Sequence, residues 1–518
     1  MTKYKFMKNI LTLVLLLHGF LLFSQESFIP IKHTQKGFIS VDFLSTKMPD
    51  DIDGNPEVRM GVTGIHYNLW LSDKIYGGVG FYGSITGKRG GLFTLGINLG
   101  TKINLTKKLF LDAGFHFGGG GGAGAPDGSG AFILPHLNLG YQFTSFSTLI
   151  GVNYINFFAN GNIKGTQLTA GVQIPLSFDY TDFDSIENNY SFNNLVSSTW
   201  NQKAKKISLM MHLNNLTPTG SSHFTNNTSL IGKKILLAGF EINSYIAKNW
   251  FGFFKVDGAY HGIRGGYMDI LLGAGYHFSF NKNRTNILAK FGFGAGGGGG
   301  IDTAGGFFIY PDISIEQKLF NNIYLSINKG FLMNPNQTFT SSTLGFGLKY
   351  YVHQQGIKTA IKNLSSFKIK GLEIIIAEDI YLNAKRMLYT PKNLYQISFQ
   401  ANLYLSNHFY LAGKTSFANF GNAGAYAEGI VGIGLKSNSF LNNKLSVFAQ
   451  GLVGAAGGGG ISTGQGLILK PSTGLYYTIN KTLDIRTEFG LVKARRGKLN
   501  SFYYSIGLSY KIGVLVGK

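Results

Sequence analysis

FGGGGGAGAPDGSGAFILP at Phe117–Pro135, GAGGGGGIDTAGGFFIYP at Gly294–Pro311 and GAAGGGGISTGQGLILKP at Gly454–Pro471 are three versions of one phrase. Aligning the closing prolines also aligns Gly130, Gly306 and Gly466, each followed by a short apolar run. One poly-glycine tract would be low complexity. Three in register, each inside a frame of about 145 residues, mean an internal triplication. Gly120, Gly122, Gly124, Gly296, Gly298, Gly300, Gly458 and Gly460 are the structural glycines of that repeat.

Composition narrows the class. Of 518 residues, 44% are hydrophobic and 14% aromatic, yet no apolar run after the N-terminus reaches the roughly 18 residues of a spanning helix. The chain opens MTKYKFMKNILTLVLLLHGFLLFSQ: three lysines, an apolar block and a small residue, the grammar of a secretory signal peptide over residues 1–24. There is no cysteine, hence no disulfide, lipid-attachment thiol or thiolate metal site. The 72 glycines, 43 phenylalanines and 27 tyrosines against 11 prolines fit a large sheet with few loops. The net charge of +22 comes mostly from lysines placed in turns. Without a basic cluster on an exported chain, no nucleic-acid partner is expected.

From about Lys36 onward, apolar residues recur with period two. Asp312, Ser314, Glu316 and Lys318, for example, alternate with Ile313, Ile315, Gln317 and Leu319. A soluble sandwich would alternate as well; strand length and turn grammar separate the two cases. The strands are about 10–16 residues long. One class of connection is short and rich in Asn, Lys, Asp and Ser (LSDKIY, LTKKLFL, IAKNWF, LFNNIYL), with aromatics at strand ends, and the other is longer and more variable. That combination predicts an all-β fold of transmembrane antiparallel β-barrels. About 24 strands result, in three homologous eight-strand units. The short turns lie on the periplasmic side and the glycine hairpins near the outer surface.

Each unit ends on a similar phrase: Thr169-Ala-Gly171-Val-Gln-Ile174-Pro-Leu176, Thr343-Leu-Gly345-Phe-Gly-Leu348-Lys-Tyr350, and Ser505-Ile-Gly507-Leu-Ser-Tyr510-Lys-Ile512. Here the chain resembles Gram-negative outer-membrane β-barrel proteins, whose last strand carries a polar-x-Gly-x-x-apolar-x-apolar assembly signal. Ser505, Gly507, Tyr510 and Ile512 would be that signal, although the sequence closes IGVLVGK at Ile512–Lys518 without a terminal aromatic. The resemblance implies a Gram-negative outer-membrane location and insertion by the barrel-assembly machinery. Outer-membrane lipids, lipopolysaccharide and another envelope protein are the further partners expected.

The repeat admits one wide barrel or three small ones. The joints over residues 179–205 and 353–366 are far longer than the tight turn a single barrel would need there. Three tandem barrels are therefore favoured, at 36–178, 206–352 and 367–518. The period-two pattern turns Glu241, Lys255, Asp257, Asp269, Lys290, Asp312, Glu316 and Lys318 inward in the second unit, and Lys414, Glu428, Lys470, Arg486 and Glu488 in the third. Such an interior ionic network suits a filled barrel better than a wet pore. Outward glycines, Gly297 and Gly299 among them, would let neighbouring barrels pack closely around a common contact.

For chemistry, His66, His116 and His136 face inward in the first unit with Asp112, but the other units do not keep them. Asp127 and Asp302 lack the oxygen-rich spacing of a Ca²⁺ cage. Arg89 and Arg264 lie beside outer loops, and Gln354–Ser365 has the pattern of a short basic amphipathic helix. The expectation is a non-enzymatic membrane-embedded structural or envelope-complex module with no cofactor. A porin or channel is the alternative, and a lipid-modifying enzyme a second one.

Overall fold

The computed structural model describes residues 29–50, 54–359 and 364–517; the signal-peptide segment 1–24 lies outside them. Eight strands, β1 (His33–Thr46), β2 (Met60–Trp70), β3 (Ile75–Thr86), β4 (Phe93–Asn104), β5 (Leu109–Gly121), β6 (Phe132–Gln142), β7 (Ser147–Phe157) and β8 (Lys164–Tyr180), pair in chain order. β8 returns to β1 from His33↔Tyr180 to Leu44↔Thr169, so this sheet is a closed barrel.

After a short β9 (Asn189–Ser191) come β10 (Lys205–Thr219), β11 (Ile235–Tyr245), β12 (Trp250–His261), β13 (Met268–Phe280), β14 (Thr285–Gly297), β15 (Phe307–Phe320), β16 (Ile323–Met333) and β17 (Thr340–Gln354). β10 pairs with β17 from Lys205↔Gln354 to Thr219↔Thr340. The last set is β18 (Ser366–Ala384), β19 (Lys392–Tyr404), β20 (Phe409–Phe420), β21 (Ala427–Lys436), β22 (Leu445–Gly457), β23 (Leu467–Thr478), β24 (Leu483–Ala494) and β25 (Asn500–Gly517). There β18 pairs with β25 from Phe367↔Gly517 to Tyr381↔Tyr503. β9 to β25 nevertheless belong to one 17-stranded hydrogen-bonded sheet, because β17 touches β25 at His353↔Gly517 and Gln354↔Val516 and β9 adds to β18. The count is thus 25 strands, and the strand beyond the expected 24 is β9 in the first joint.

Burial runs inside-out. Lys349, Glu316 and Glu488 are fully enclosed, while Phe502, Ile150, Phe291 and Phe346 on the opposite faces are more than half exposed. A water-soluble chain does the reverse. With an apolar exterior, strand edges have to pair within the protein, since nothing in hydrocarbon accepts a hydrogen bond.

The two joints, longer than a tight turn as expected, are packed segments. Residues 179–205 contain β9 and one helical turn, Phe192–Leu195, whose N-cap Ser191 hydroxyl accepts from the Asn194 amide. Leu195, Trp200, Ile357 and Leu364 pack with Phe367 and Leu515 into a common core. The Trp200 indole donates to the Pro30 carbonyl at 2.7 Å, and Thr181 exchanges two backbone bonds of 2.8 Å with Gly513. The amphipathic helix expected over Gln354–Ser365 is not formed by its described part. Gln354 ends β17 and Lys358 bridges to Lys203, while 360–363 lie outside the described residues.

With no native cysteine, closure can be tested by crosslinking. Leu213→Cys with Phe346→Cys, and Ile376→Cys with Leu508→Cys, occupy outward register pairs of β10/β17 and β18/β25. Both should oxidise to intrachain disulfides, read by mobility on a denaturing gel. Ala170→Cys with Leu213→Cys, the β8/β10 contact a single wide barrel would require, should stay reduced.

Candidate functional site

Along each strand successive side chains alternate between faces, so the inward polar positions of eight strands meet in a narrow lumen. In the second unit Lys290 Nζ lies 2.8 Å from Glu241 Oε2 and 2.9 Å from Asp312 Oδ1. Lys349 joins Glu241 (3.3 Å) to Glu316 (2.7 Å). Asp257 is held by His212 Nε2 at 2.5 Å and by Lys255, and Asp269 accepts from the Tyr267 hydroxyl at 3.2 Å. In the third unit Lys470 bridges Asp379 (2.8 Å) and Glu428 (2.7 Å), Lys414 reaches Asp379 (2.6 Å), and Arg486 pairs with Glu488 (2.6 Å). Around them Tyr381, Tyr476 and Tyr503 donate to Glu428, Glu373 and Glu488.

Lys318 is the exception among the expected interior charges. The β15/β16 register shifts between Lys318 and Phe320, at the tight turn, and the strand end stands out into solvent with Lys318 exposed. Sequence reasoning missed Lys349, His212, Glu373 and Asp379. Glu373 and Asp379 share the inward alternation of β18 with Ile375, Ala377 and Tyr381, which would have revealed them.

The first unit has a different interior. His66 Nε2 contacts Asp42 Oδ1 at 3.1 Å, and Tyr82 donates to Asp42 Oδ2 at 2.7 Å. Asn98 links His66 Nδ1 (3.2 Å) to His116 Nδ1 (2.5 Å). Tyr76 donates to Asp112 at 2.7 Å and lies 3.3 Å from His136 Nε2. These groups line a cavity of about 50 Å³, which admits water and not a sugar or lipid. Among the described residues no serine or threonine hydroxyl bonds His66, His116 or His136; His66 and His116 belong to the Asp42–Asn98 set and His136 to the Tyr76–Asp112 set.

The glycine hairpins meet the neighbouring unit, always in the same way. Gly90 N donates to Ala304 O (2.8 Å), Gly265 N to Gly464 O (3.1 Å) and Gly424 N to Gly128 O (3.2 Å). The second unit thus docks on the first, the third on the second, and the first on the third: a closed ring. A Cβ on Gly306 would stand 2.8 Å from Ser84 O, one on Gly466 2.5 Å from Ala259 O, and one on Gly130 would collide with Ala418 O. Only glycine fits there, and all three also have positive φ. Phe93, Leu95, Ile270, Ala295 and Phe417, from all three units, pack together below the hairpins.

Of the two outward candidates, Gly297 lies against Gly90 of the first unit, while Gly299 faces Ile263 and Tyr267 of its own. The repeat glycines Gly120, Gly122, Gly296, Gly298, Gly300 and Gly458 also meet their own unit, Gly124 comes near only Arg89, and Gly460 has open space. The close approach therefore uses the alternate set, Gly119, Gly130, Gly297, Gly306, Gly457 and Gly466.

Other expected residues fall as follows. Arg89 is bound to Glu57 (Nε–Oε1 2.8 Å) and to the carbonyls of Ala123 and Gly124, and Arg264 is exposed. Asp127 Oδ2 accepts from Gly122 N (2.8 Å) and Asp302 Oδ1 from Ala304 N (2.8 Å), in different hairpins. In the closing phrase Ser505 and Gly507 lie on the inward alternation; Tyr510 is half-buried, and Ile512 is covered where Thr181 meets Gly513.

No protein-family model matches the sequence, and no curated protein matches it. Among solved structures the chain is similar to OccK11 (OpdR) of Pseudomonas aeruginosa, at 9% identity over 93% of this chain and 96% of that one, TM-score 0.21. It is similar to the outer-membrane protein OpdK of the same organism at 9% identity, over 93% and 99%, TM-score 0.24. A third is the ferric enterobactin receptor PfeA of Pseudomonas aeruginosa, at 10% identity over 92% and 80%, TM-score 0.28. Likeness of this degree carries nothing about barrel number or ligand. The inside-out antiparallel architecture is itself that of an outer-membrane β-barrel protein.

Two outcomes follow from this geometry. Lys470→Met leaves Glu428 without its lysine and Asp379 with Lys414 alone, and should cost about 3–5 kcal/mol, lowering the temperature at which heat-modifiable gel mobility is lost. Asp127 lies outside the strands, at the joint between first and third units, where Thr303 and Thr463 occupy the matching places. Burial outweighs the Gly122 hydrogen bond and Arg89 and pushes its carboxyl up to about 7. Its stabilising contribution is therefore complete below the usual carboxylate range and lost as pH rises toward 7. Asp127→Asn should flatten that part of the melting-temperature profile between pH 4 and pH 7.

Proposed function

We propose that the chain is an integral outer-membrane module of three tandem eight-stranded barrels, spanning residues 36–178, 206–352 and 367–518. It is exported by its 1–24 leader and set with the joints 179–205 and 353–366 in the periplasm. The observation that carries this is the pairing of first and last strand within each set of eight, around lumens occupied by buried ion pairs. A barrel of eight strands is just wide enough for side chains to fill. Three such barrels locked in a ring by their glycine hairpins form a rigid, trimer-like platform. The role that fits is structural, as an assembly partner of another envelope protein rather than an enzyme. Outer-membrane lipids and lipopolysaccharide would surround it after insertion by the barrel-assembly machinery.

A second reading, passage of small solutes, has one observation in its favour: the polar cavity of the first unit, whose interior lacks the dense ion-pair packing of the other two. Planar-bilayer recording separates the readings. The filled module should give no stable steps, or at most small ones abolished by Asn98→Leu in the first unit. Large, long-lived steps unaffected by that change would reject filled barrels and favour a porin.

A further inference from the structure

β18 carries two adjacent carboxylates on opposite faces. Asp379 points into the lumen and is neutralised by Lys414 and Lys470. Glu378 points outward, on the face it shares with Ile374, Ile376, Ile380 and Leu382. Its register partners are Ile397 on β19 and Ile506 on β25, and Ile506 is 56% exposed. A carboxylate on the apolar exterior of a membrane barrel is costly and seldom incidental.

The fold does not need it. Glu378 pairs with the residue that precedes the repeated Gly507; the same seam position is Asn215 opposite Leu344 in the second unit and Phe43 opposite Ala170 in the first. Among the described residues no Lys or Arg forms an ion pair with Glu378; its hydrogen-bond partner is Asn419, whose Nδ2 donates to Oε2 at 3.0 Å. Asn419 is itself outward on β20 yet only 2% exposed, and its Oδ1 has no partner. The carboxylate therefore has one neutral donor, and among the described residues no cation balances it. Asn419 is followed by Phe420, the last residue of β20, whose ring lies 6.1 Å from that of Phe158 in the first unit. The carboxylate thus sits near the contact between the first and third units, with Ile374 and Ile376 on one side of it along β18 and Ile380 and Leu382 on the other. Below it Ile376, Ile506 and Leu508 form an uninterrupted apolar track.

We propose that Glu378, held in place by Asn419, binds the primary ammonium of a membrane lipid headgroup, with an acyl chain lying along Ile376, Ile506 and Leu508. An ammonium supplies both the missing charge and N–H donors, and charge-assisted bonds of this kind are the strong ones. A lipid fits better than a basic protein segment, because Ile374, Ile376, Ile380, Leu382, Ile506 and Leu508 around the carboxylate are apolar and no second carboxylate shares that face of β18. The inference rests on the membrane exposure of this face.

The test uses the full chain in neutral detergent, titrated with short-chain phosphatidylethanolamine, phosphatidylcholine and phosphatidylglycerol and followed by native mass spectrometry and thermal midpoint. Phosphatidylethanolamine should bind about tenfold tighter than the other two, since choline has charge but no N–H donor and glycerol no charge. Glu378→Gln should bring the three within about twofold of one another. Should that variant fold poorly, Glu378→Phe, which copies Phe43, takes its place. Equal binding by the wild type, a preference that survives in both variants, or capture of a lysine peptide with no lipid preference would each overturn the proposal. A chain that stays soluble without detergent would instead remove the membrane reading itself.

Discussion

A peptide group in hydrocarbon has no solvent to bond to, and that single constraint organises the molecule. Every strand must find two neighbours, so a sheet in this setting has to close. The chain meets the requirement three times, through β1/β8, β10/β17 and β18/β25, and the closing pairs are among its longest ladders. The turns between strands follow from the same demand. Those on one side are tight, with residues such as Asn281, Asn283, Asn321 and Asn443 taking the positive φ that short connections need.

Closure after eight strands fixes what the interior can be. The lumen is too narrow for bulk water, so its polar side chains must satisfy one another. The second and third units do this with ions: Lys290, Lys349, Lys414 and Lys470 each touch two carboxylates, and tyrosines supply further donors. The first unit uses amides and imidazoles around Asp42 and Asp112 and leaves a small cavity. Two chemistries thus solve one packing problem, and the looser one is where water can enter.

Between units the constraint is proximity. Three backbone hydrogen bonds of one kind, from Gly90, Gly265 and Gly424, require backbone to approach backbone, and Gly130, Gly306 and Gly466 make room for it. Because each unit offers its hairpin to one neighbour and its third-strand end to the other, the contact is heterologous and closes after three steps, as in a cyclic trimer. The joint segments, packed around Trp200, Leu195 and Ile357, hold the opposite side.

Period two and turn grammar determined the all-β outer-membrane barrel class, because alternation is a local property of a strand. Three things needed the tertiary structure. Lys318 left the interior because its register shifts at a strand end, which no alternation reports. Glu373 and Asp379 obey the alternation of β18, but which cations meet them depends on Lys414 and Lys470 from other strands. The glycines that meet a neighbour could not be told from those that do not, since glycine has no side chain to mark a face; Gly306 and Gly460 differ only in what the next unit places against them. Which strand closes on which, and which hairpin rests on which unit, are decided by contacts between residues far apart in the chain, and a sequence records its neighbours along the chain alone.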